Sequence, residues 1–221
     1  MRILVTGSGS GLGAAIVDEL ELNGHEVVEY DHAQGCDVLN PSVPDGRLDC
    51  LINCAGVNEI DWLEYFTETQ WDRVMGVNAK GIYMMTRACL PKLKASRGVV
   101  INIISNASHI PMTCSLAYNA SKAAAEMMTR QLARELTKRD GITVFGISPN
   151  KLRGTGMSID IEERVCKTRG WTREQAAAYQ KQALVTGEET DPSSVAEFLV
   201  WLLSEKHRHI ALSGCVLEYG A

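Results

Sequence analysis

The chain has 221 residues, 27 of them acidic against 22 Lys and Arg, for a formal net charge of -5. That balance offers no basic stripe to a nucleic acid, and no apolar run approaches the roughly 18 residues of a membrane span. Seven cysteines form no CxxC pair, and Cys50 and Cys54, four apart on a strand, lie about 13 Å from each other, so neither a disulfide framework nor a zinc site is expected.

Arg2 to Thr6 carries Ile3, Leu4 and Val5 and reads as a short strand. No charged segment and long apolar stretch of a signal peptide precede it, so a cytoplasmic location is expected. Gly7-Ser-Gly-Ser-Gly11-Leu-Gly13 follows at once, then a helical pattern ending at Asn23-Gly24. In such a turn the glycines let the backbone approach a pyrophosphate, and the next helix aims its free N–H groups and positive dipole end at the phosphates. His25 to Tyr30 reads as a second strand, closed by Asp31 about 20 residues past the glycines, where a dinucleotide fold hydrogen-bonds the adenosine ribose. A carboxylate there repels a 2′-phosphate and the glycine turn holds no basic residue, so NAD rather than NADP is expected.

Between Asp31 and the next strand, Leu48 to Asn53, the crossover is trimmed and broken by Pro41, Pro44 and Gly46. Asn53-Cys-Ala-Gly56 turns out of that strand. Thr67-Glu-Thr-Gln70 resembles a capping box that opens a long helix with Trp71, Val74, Met75, Ile82 and Met85 as its apolar stripe. Asn78, between Gly76 and Gly81, suits a helix poorly; it is either a surface residue or one held for its side chain. Gly98 to Ile104 reads as a strand buried on both faces, delivering Ser105 at its carboxyl end, where ligands bind in open α/β sheets.

Ala117 to Arg139 reads as a helix from Ala120, Ala124, Met128, Leu132 and Leu136, with Gly141 to stop it. Tyr118 and Lys122 are therefore neighbours one turn apart. An ammonium beside a phenol favours the phenolate, which is expected to draw the Tyr118 pKa down from about 10 and make the pair an acid/base. Ile142 to Ser148 is another buried strand, ending at Pro149. Residues 156–187 carry two short helical patterns, Ile159 to Lys167 and Thr172 to Leu184. Met157, Ile159 and Trp171 either line a lid or pack ordinarily, and His109 and Cys114, in the loop before Tyr118, are similar cases. Asp191-Pro-Ser-Ser opens a last helix running to about Glu205, and Cys215 to Glu218 is a last strand. Strand and helix alternate throughout, which predicts a single-domain α/β, Rossmann-like, doubly wound parallel sheet.

Taken together, Thr6-Gly7-x-x-x-Gly11-x-Gly13, Asn53-Cys-Ala-Gly56, Asn78, Ser105 and Tyr118-Asn-Ala-Ser-Lys122 resemble the short-chain dehydrogenase/reductase family, in the glycine spacing of its core oxidoreductase branch. The resemblance implies that Tyr118 is the acid/base, that Ser105 hydrogen-bonds the same substrate oxygen, and that Lys122 lowers the Tyr118 pKa and holds the nicotinamide ribose. Asn78, through a helix distortion, is implied to anchor a water linking Lys122 to solvent. It implies NAD contacts at Gly7, Ser10, Gly11, Leu12, Gly13, Asp31, Asn53, Ala55, Gly56, Tyr118, Lys122, Pro149 and Thr155, with Asp37 and Val38 meeting the adenine and residues 156–187 covering the substrate.

The chain departs from the family pattern at Cys54, at Pro149-Asn150 in place of Pro-Gly, and at Thr155, which arrives one residue late after Gly154. Its trimmed crossover resembles that of some bacterial hydroxysteroid dehydrogenases and carbonyl reductases. A homo-oligomer, a tetramer as in most of the family, is implied, and Met84, Ala88, Ala123 and Met127 suit helices meeting across a two-fold axis. The expected activity is hydride transfer between NAD(H) and a small secondary alcohol or ketone. A redox-silent NAD-binding sensor is the alternative, while an epimerase or dehydratase conflicts with the glycine spacing.

Overall fold

In the computed structural model, which describes residues 1–182, 184–204 and 209–220, six short apolar runs become strands. They are β1 (Arg2–Thr6), β2 (Glu26–Tyr30), β3 (Cys50–Asn53), β4 (Val99–Ile103), β5 (Thr143–Pro149) and β6 (Val216–Tyr219). All pair in parallel, in the order β2-β1-β3-β4-β5-β6. The period of two along a strand divides their side chains between two cores. Ile3, Val5, Ile52, Ile101 and Phe145 face one, with α1 (Gly11–Leu22) and α7 (Pro192–Ser204) against them. Leu4, Leu51, Val100 and Val144 face the other, under α3 (Gly81–Ser96) and α4 (Leu116–Asp140). Covered on both faces, β1, β3, β4 and β5 show almost no side to water, which is why they read as apolar runs, while the edge strands β2 and β6 expose Glu26, Glu29 and Glu218.

Between Asp31 and Asp49 the trimmed crossover holds one 3₁₀ turn, His32–Gln34, and no α-helix. Polar groups tie it down instead. The Tyr30 hydroxyl donates to the Asp37 carbonyl at 3.2 Å and accepts from the Ser42 N–H at 3.1 Å. Arg2 donates to the carbonyls of Asp45 and Arg47 at 2.7 and 2.9 Å. Because the chain leaves β1 for β2 and returns to β3 on the other side, the connections diverge at the carboxyl ends of β1 and β3, the place where open parallel sheets take their ligands.

Two polar details depart from the apolar reading. The run from Gly98 to Ile104 contains Asn102, fully buried, whose carboxamide accepts from Asn53 Nδ2 at 2.9 Å and donates to Thr129 Oγ1 at 2.8 Å. The expected long helix is three pieces: α2 (Glu68–Met75), capped by the Thr67–Gln70 box, then a π-helical turn at Gly76–Lys80, then α3. Past β5 come α5 (Gly156–Arg169) and α6 (Arg173–Gln182), close to the two expected patterns. Ala183, within the second pattern, and Glu205, the expected end of the last helix, lie outside the described residues. Among the described residues, no helix is long and apolar enough to cross a membrane.

Candidate active site

The glycine turn is shaped by contact between backbones. Thr6 Oγ1 accepts from the N–H groups of Cys54 and Ala55 at 3.0 and 3.1 Å, drawing the turn after β3 against the end of β1. Gly7 sits there at φ +68°, and a Cβ on it would lie 2.7 Å from Ala55 Cα. A Cβ on Gly13 would lie 1.8 Å from the Gly7 carbonyl oxygen, so the first turn of α1 can approach β1 only without one. Exposed Ser10 is the N-cap residue of α1 and makes no side-chain cap, leaving its first N–H groups for a ligand, while the Leu12 side chain is core.

Asp31 lies against this turn. Its Oδ2 accepts from the Gly9 N–H at 3.0 Å and its Oδ1 from the Ala33 N–H at 2.8 Å. Thr155, the N-cap residue of α5, is brought to the far side, 3.5 Å from where a Gly11 Cβ would be. Asn150 turns its carboxamide to the Gly220 carbonyl and to Thr190 Oγ1. Asp37 is exposed and accepts from the Leu39 N–H, whereas Val38 is half-buried over Gly81. Asn53 spends its amide on Asn102 and Thr86, so a cofactor contact from it would come through the main chain.

Asn78, Ser105, Tyr118 and Lys122 come together at the carboxyl ends of β3 and β4. The π turn aims Asn78 inward: its Oδ1 accepts from the Val57 N–H at 2.8 Å and its Nδ2 donates to the Val57 carbonyl at 2.9 Å and Ser121 Oγ at 3.0 Å. A Cβ on Gly56 would lie 3.6 Å from Asn78 Oδ1 and 3.9 Å from Lys122 Nζ, so the two groups share one small space. Lys122 is 5% exposed, donates to the Ile103 carbonyl at 2.9 Å and stands 5.7 Å from the centre of the Tyr118 ring. Tyr118, half-buried in the first turn of α4, stands beside the Ser105 hydroxyl, which favours its ionised form, while Ser105 Oγ itself donates to Asn106 Oδ1 at 3.3 Å.

The expected direction of the Tyr118 shift is reversed. Burial pushes the phenol above its ordinary value, the Ser105 hydroxyl pulls it part of the way back, and Cys54 opposes ionisation further. Burial also lowers Lys122 to about 8 and pushes the Cys54 thiol up to about 12. Spacing along α4 gave the neighbours correctly, but burial of the phenol is the largest influence on its ionisation and the Lys122 ammonium does not reverse it.

The lid question resolves toward packing for Trp171. Its ring meets Tyr179 edge-on at 5.1 Å, the Arg169 guanidinium lies 4.7 Å over it, and it joins Cys114 around the small core of Ile60, Val165 and Ala176. Met157 and Ile159 stay exposed on α5. His109 Nδ1 lies 3.2 Å from Ser108 Oγ, and its Nε2 lies 3.6 Å from Glu218. Glu59 was not foreseen: this buried carboxylate joins Arg73 of α2 to Arg164 of α5. Nothing local marks it, since an acid after a turn ordinarily reads as a solvated one.

The profile of the short chain dehydrogenase family matches residues 40–165. The sorbitol-6-phosphate 2-dehydrogenase of Klebsiella pneumoniae is 31% identical over 243 aligned positions, covering 94% of this chain and 91% of that one. The chain belongs to the short-chain dehydrogenase family. Among solved structures, this short-chain dehydrogenase is similar to the 3-ketoacyl-(acyl-carrier-protein) reductase of Brucella melitensis complexed with NADH, with a TM-score of 0.82 at 23% identity over 98% of this chain and 95% of that one. It is also similar to a variant of actinorhodin polyketide ketoreductase with NADPH, with a TM-score of 0.85 at 25% identity over 98% and 94% of the two chains. The family is one of oxidoreductases that use nicotinamide cofactors, and the two complexes span both NADH and NADPH.

This chain's residues fit such a cofactor. The turn from Gly7 to Gly13 is packed so close to neighbouring backbone that only glycine fits at Gly7 and Gly13, the start of α1 faces it, and the Asp31 carboxylate stands beside it. Ser148 Oγ, at the end of β5, and the Asn58 carboxamide, past the end of β3, are buried without a hydrogen-bond partner among the described residues.

Proposed function

We propose that this short-chain dehydrogenase transfers hydride between NAD(H) and a secondary alcohol or ketone, with Tyr118 as the acid/base. The observation that carries the reading is the Tyr118 phenol placed beside both the Ser105 hydroxyl and the Lys122 ammonium at the carboxyl ends of the strands. A phenol pushed above its ordinary pKa stays protonated at neutral pH and is ready to donate. In the reducing direction, Tyr118 Oη gives its proton to the carbonyl oxygen as that oxygen gains charge, and Ser105 Oγ donates a hydrogen bond to the same oxygen. The nicotinamide supplies the hydride when bound. Lys122 adds a buried cation beside the phenolate left behind, and Asn78 braces the wall next to Lys122.

The residues that would hold the cofactor are Gly7 to Gly13 and Thr155 at the phosphates, Asp31 at the adenosine ribose, Ala55 and Gly56 beside the turn, and Lys122 at the nicotinamide ribose. Asp31 favours NAD. A 2′-phosphate at 4 Å from it meets about 4 kcal/mol of repulsion per charge pair at an effective dielectric near 20. Screening at an open site reduces this to a preference on the order of 10 to 1000-fold.

The test is a panel of secondary alcohols and ketones, read by the absorbance of reduced nicotinamide. The Klebsiella relative's name makes sorbitol 6-phosphate a first member of it. Turnover on any member with NAD(H) supports the reading. Stoichiometric NAD(H) binding with no turnover on the panel favours a redox-silent sensor.

A further inference from the structure

One side chain beside the reacting groups grips the loop that carries Ser105 at three points. Asn119, next to Tyr118 on α4, donates from Nδ2 to the carbonyls of Ala107 and Ile110 at 2.6 and 2.7 Å. Its Oδ1 accepts from the Met112 N–H at 3.3 Å. Ala107 is 1% exposed, and its N–H in turn donates to Ser105 Oγ at 3.2 Å. The 3₁₀ turn at Asn106–Ser108 is thus held to α4 through one face of Ala107 and holds the Ser105 hydroxyl through the other. Two helical turns further along α4, Glu126 accepts from Ser108 Oγ at 2.6 Å and steadies the far end of the turn.

We infer that Asn119 is a positioning residue, which sets the Ser105 hydroxyl against Tyr118 by holding the Ala107 carbonyl. A carboxamide is suited to this position because it offers two donors and an acceptor on one rigid plane, and an aspartate keeps only the acceptor. Without the amide, the buried Ala107 carbonyl must find another partner, and the turn moves to supply one. What the Ser105–Tyr118 pair does chemically rests on the proposed function; how the pair is held does not.

Moving Ser105 takes away the hydroxyl that opposes the effect of burial on the Tyr118 phenol. The other groups facing that phenol are Lys122 on its own helix and Cys54 after β3. Ionisation of Tyr118 is read as the phenolate absorbance of each protein minus that of its Tyr118→Phe counterpart. The set is the wild type, Asn119→Ala, Ser105→Ala and the double variant, with hydrogen exchange of residues 106–112 followed in parallel.

Asn119→Ala is expected to raise the Tyr118 midpoint by about half or more of the Ser105→Ala shift. The double variant is expected to go no further than Ser105→Ala alone, because both act through one hydroxyl. Exchange in the turn is expected to quicken about tenfold or more. An unchanged midpoint in Asn119→Ala, or shifts that simply add in the double variant, overturns the inference. If the alanine variant does not fold, Asn119→Ser, neutral and able to keep one donation, is expected to give an intermediate shift, and no shift overturns the inference equally. No substrate enters these measurements, so an inactive wild type counts against the proposed function alone.

Discussion

Asn78 and Val57 are joined at both ends of a single carboxamide, with the Val57 N–H on Oδ1 at 2.8 Å and the Val57 carbonyl on Nδ2 at 2.9 Å. The π turn at Gly76–Lys80 gives Asn78 this reach, since an extra residue in the helix swings the side chain toward the strand ends. Asn78→Ala leaves both Val57 groups without these partners, at a cost of about 1–3 kcal/mol. The melting temperature is expected to fall by roughly 2–10 °C, and kcat by about tenfold as the wall beside Lys122 loosens. Thermal unfolding followed by circular dichroism checks the first figure, and an unshifted melting temperature contradicts it.

Lys122 gives a pH dependence whose sign follows from its shift, from 10.5 down to about 8. Below pH 8 it is protonated in both the folded and unfolded chains, and the full penalty of burying the cation is present. Between 8 and 10.5 the unfolded chain binds one more proton than the folded one, so stability from this group rises with pH until the penalty is gone. The stability of Lys122→Met relative to the wild type is therefore expected to decline by up to about 3 kcal/mol from near neutral pH to about pH 10.5. Urea midpoints of the two proteins across that range measure it. A difference that grows with pH sinks the assignment.

Asp31→Ser keeps a hydroxyl acceptor at the position proposed for the adenosine ribose and removes the charge. The ratio of NADP to NAD dissociation constants is expected to fall by about tenfold or more at fixed ionic strength. The preference of the wild type for NAD fails as an idea if the two cofactors bind it equally.

Across α3 and α4, Tyr83 and Met127 are 47% and 64% exposed and Ala123 also faces outward, whereas Met84 and Ala88 are half-buried. A second copy meeting these helices across a two-fold axis would cover them. Sedimentation is expected to show a dimer or tetramer at micromolar protein, and Met127→Glu to shift it toward monomer. A wild type that sediments only as monomer rules this out.

What could be read in advance was local. Tyr118 and Lys122 are one helical turn apart whatever surrounds them, and Gly7, Gly11 and Gly13 with Asp31 sit at a spacing that a strand, turn, helix and strand reproduce. What depends on distant partners could not be read. Asn102 hides in an apolar run because its partners come from β3 and α4. Glu59 is held by arginines 14 and 105 residues away. Asn119 carries no signal of its own in the sequence, because the turn it holds comes beside it only when α4 packs. The direction of the Tyr118 shift was missed because burial is a property of the packed chain.

The proton step is tested most directly by Tyr118→Phe, assayed for turnover and for NADH affinity on the same preparation. The ring still packs in the first turn of α4 and only the hydroxyl is lost. Turnover is expected to fall by about 100-fold or more, the scale of a positioned acid/base, while the NADH dissociation constant stays within a few fold. A variant that keeps most of its kcat with cofactor binding intact contradicts the account, since Tyr118 would then not be moving the proton.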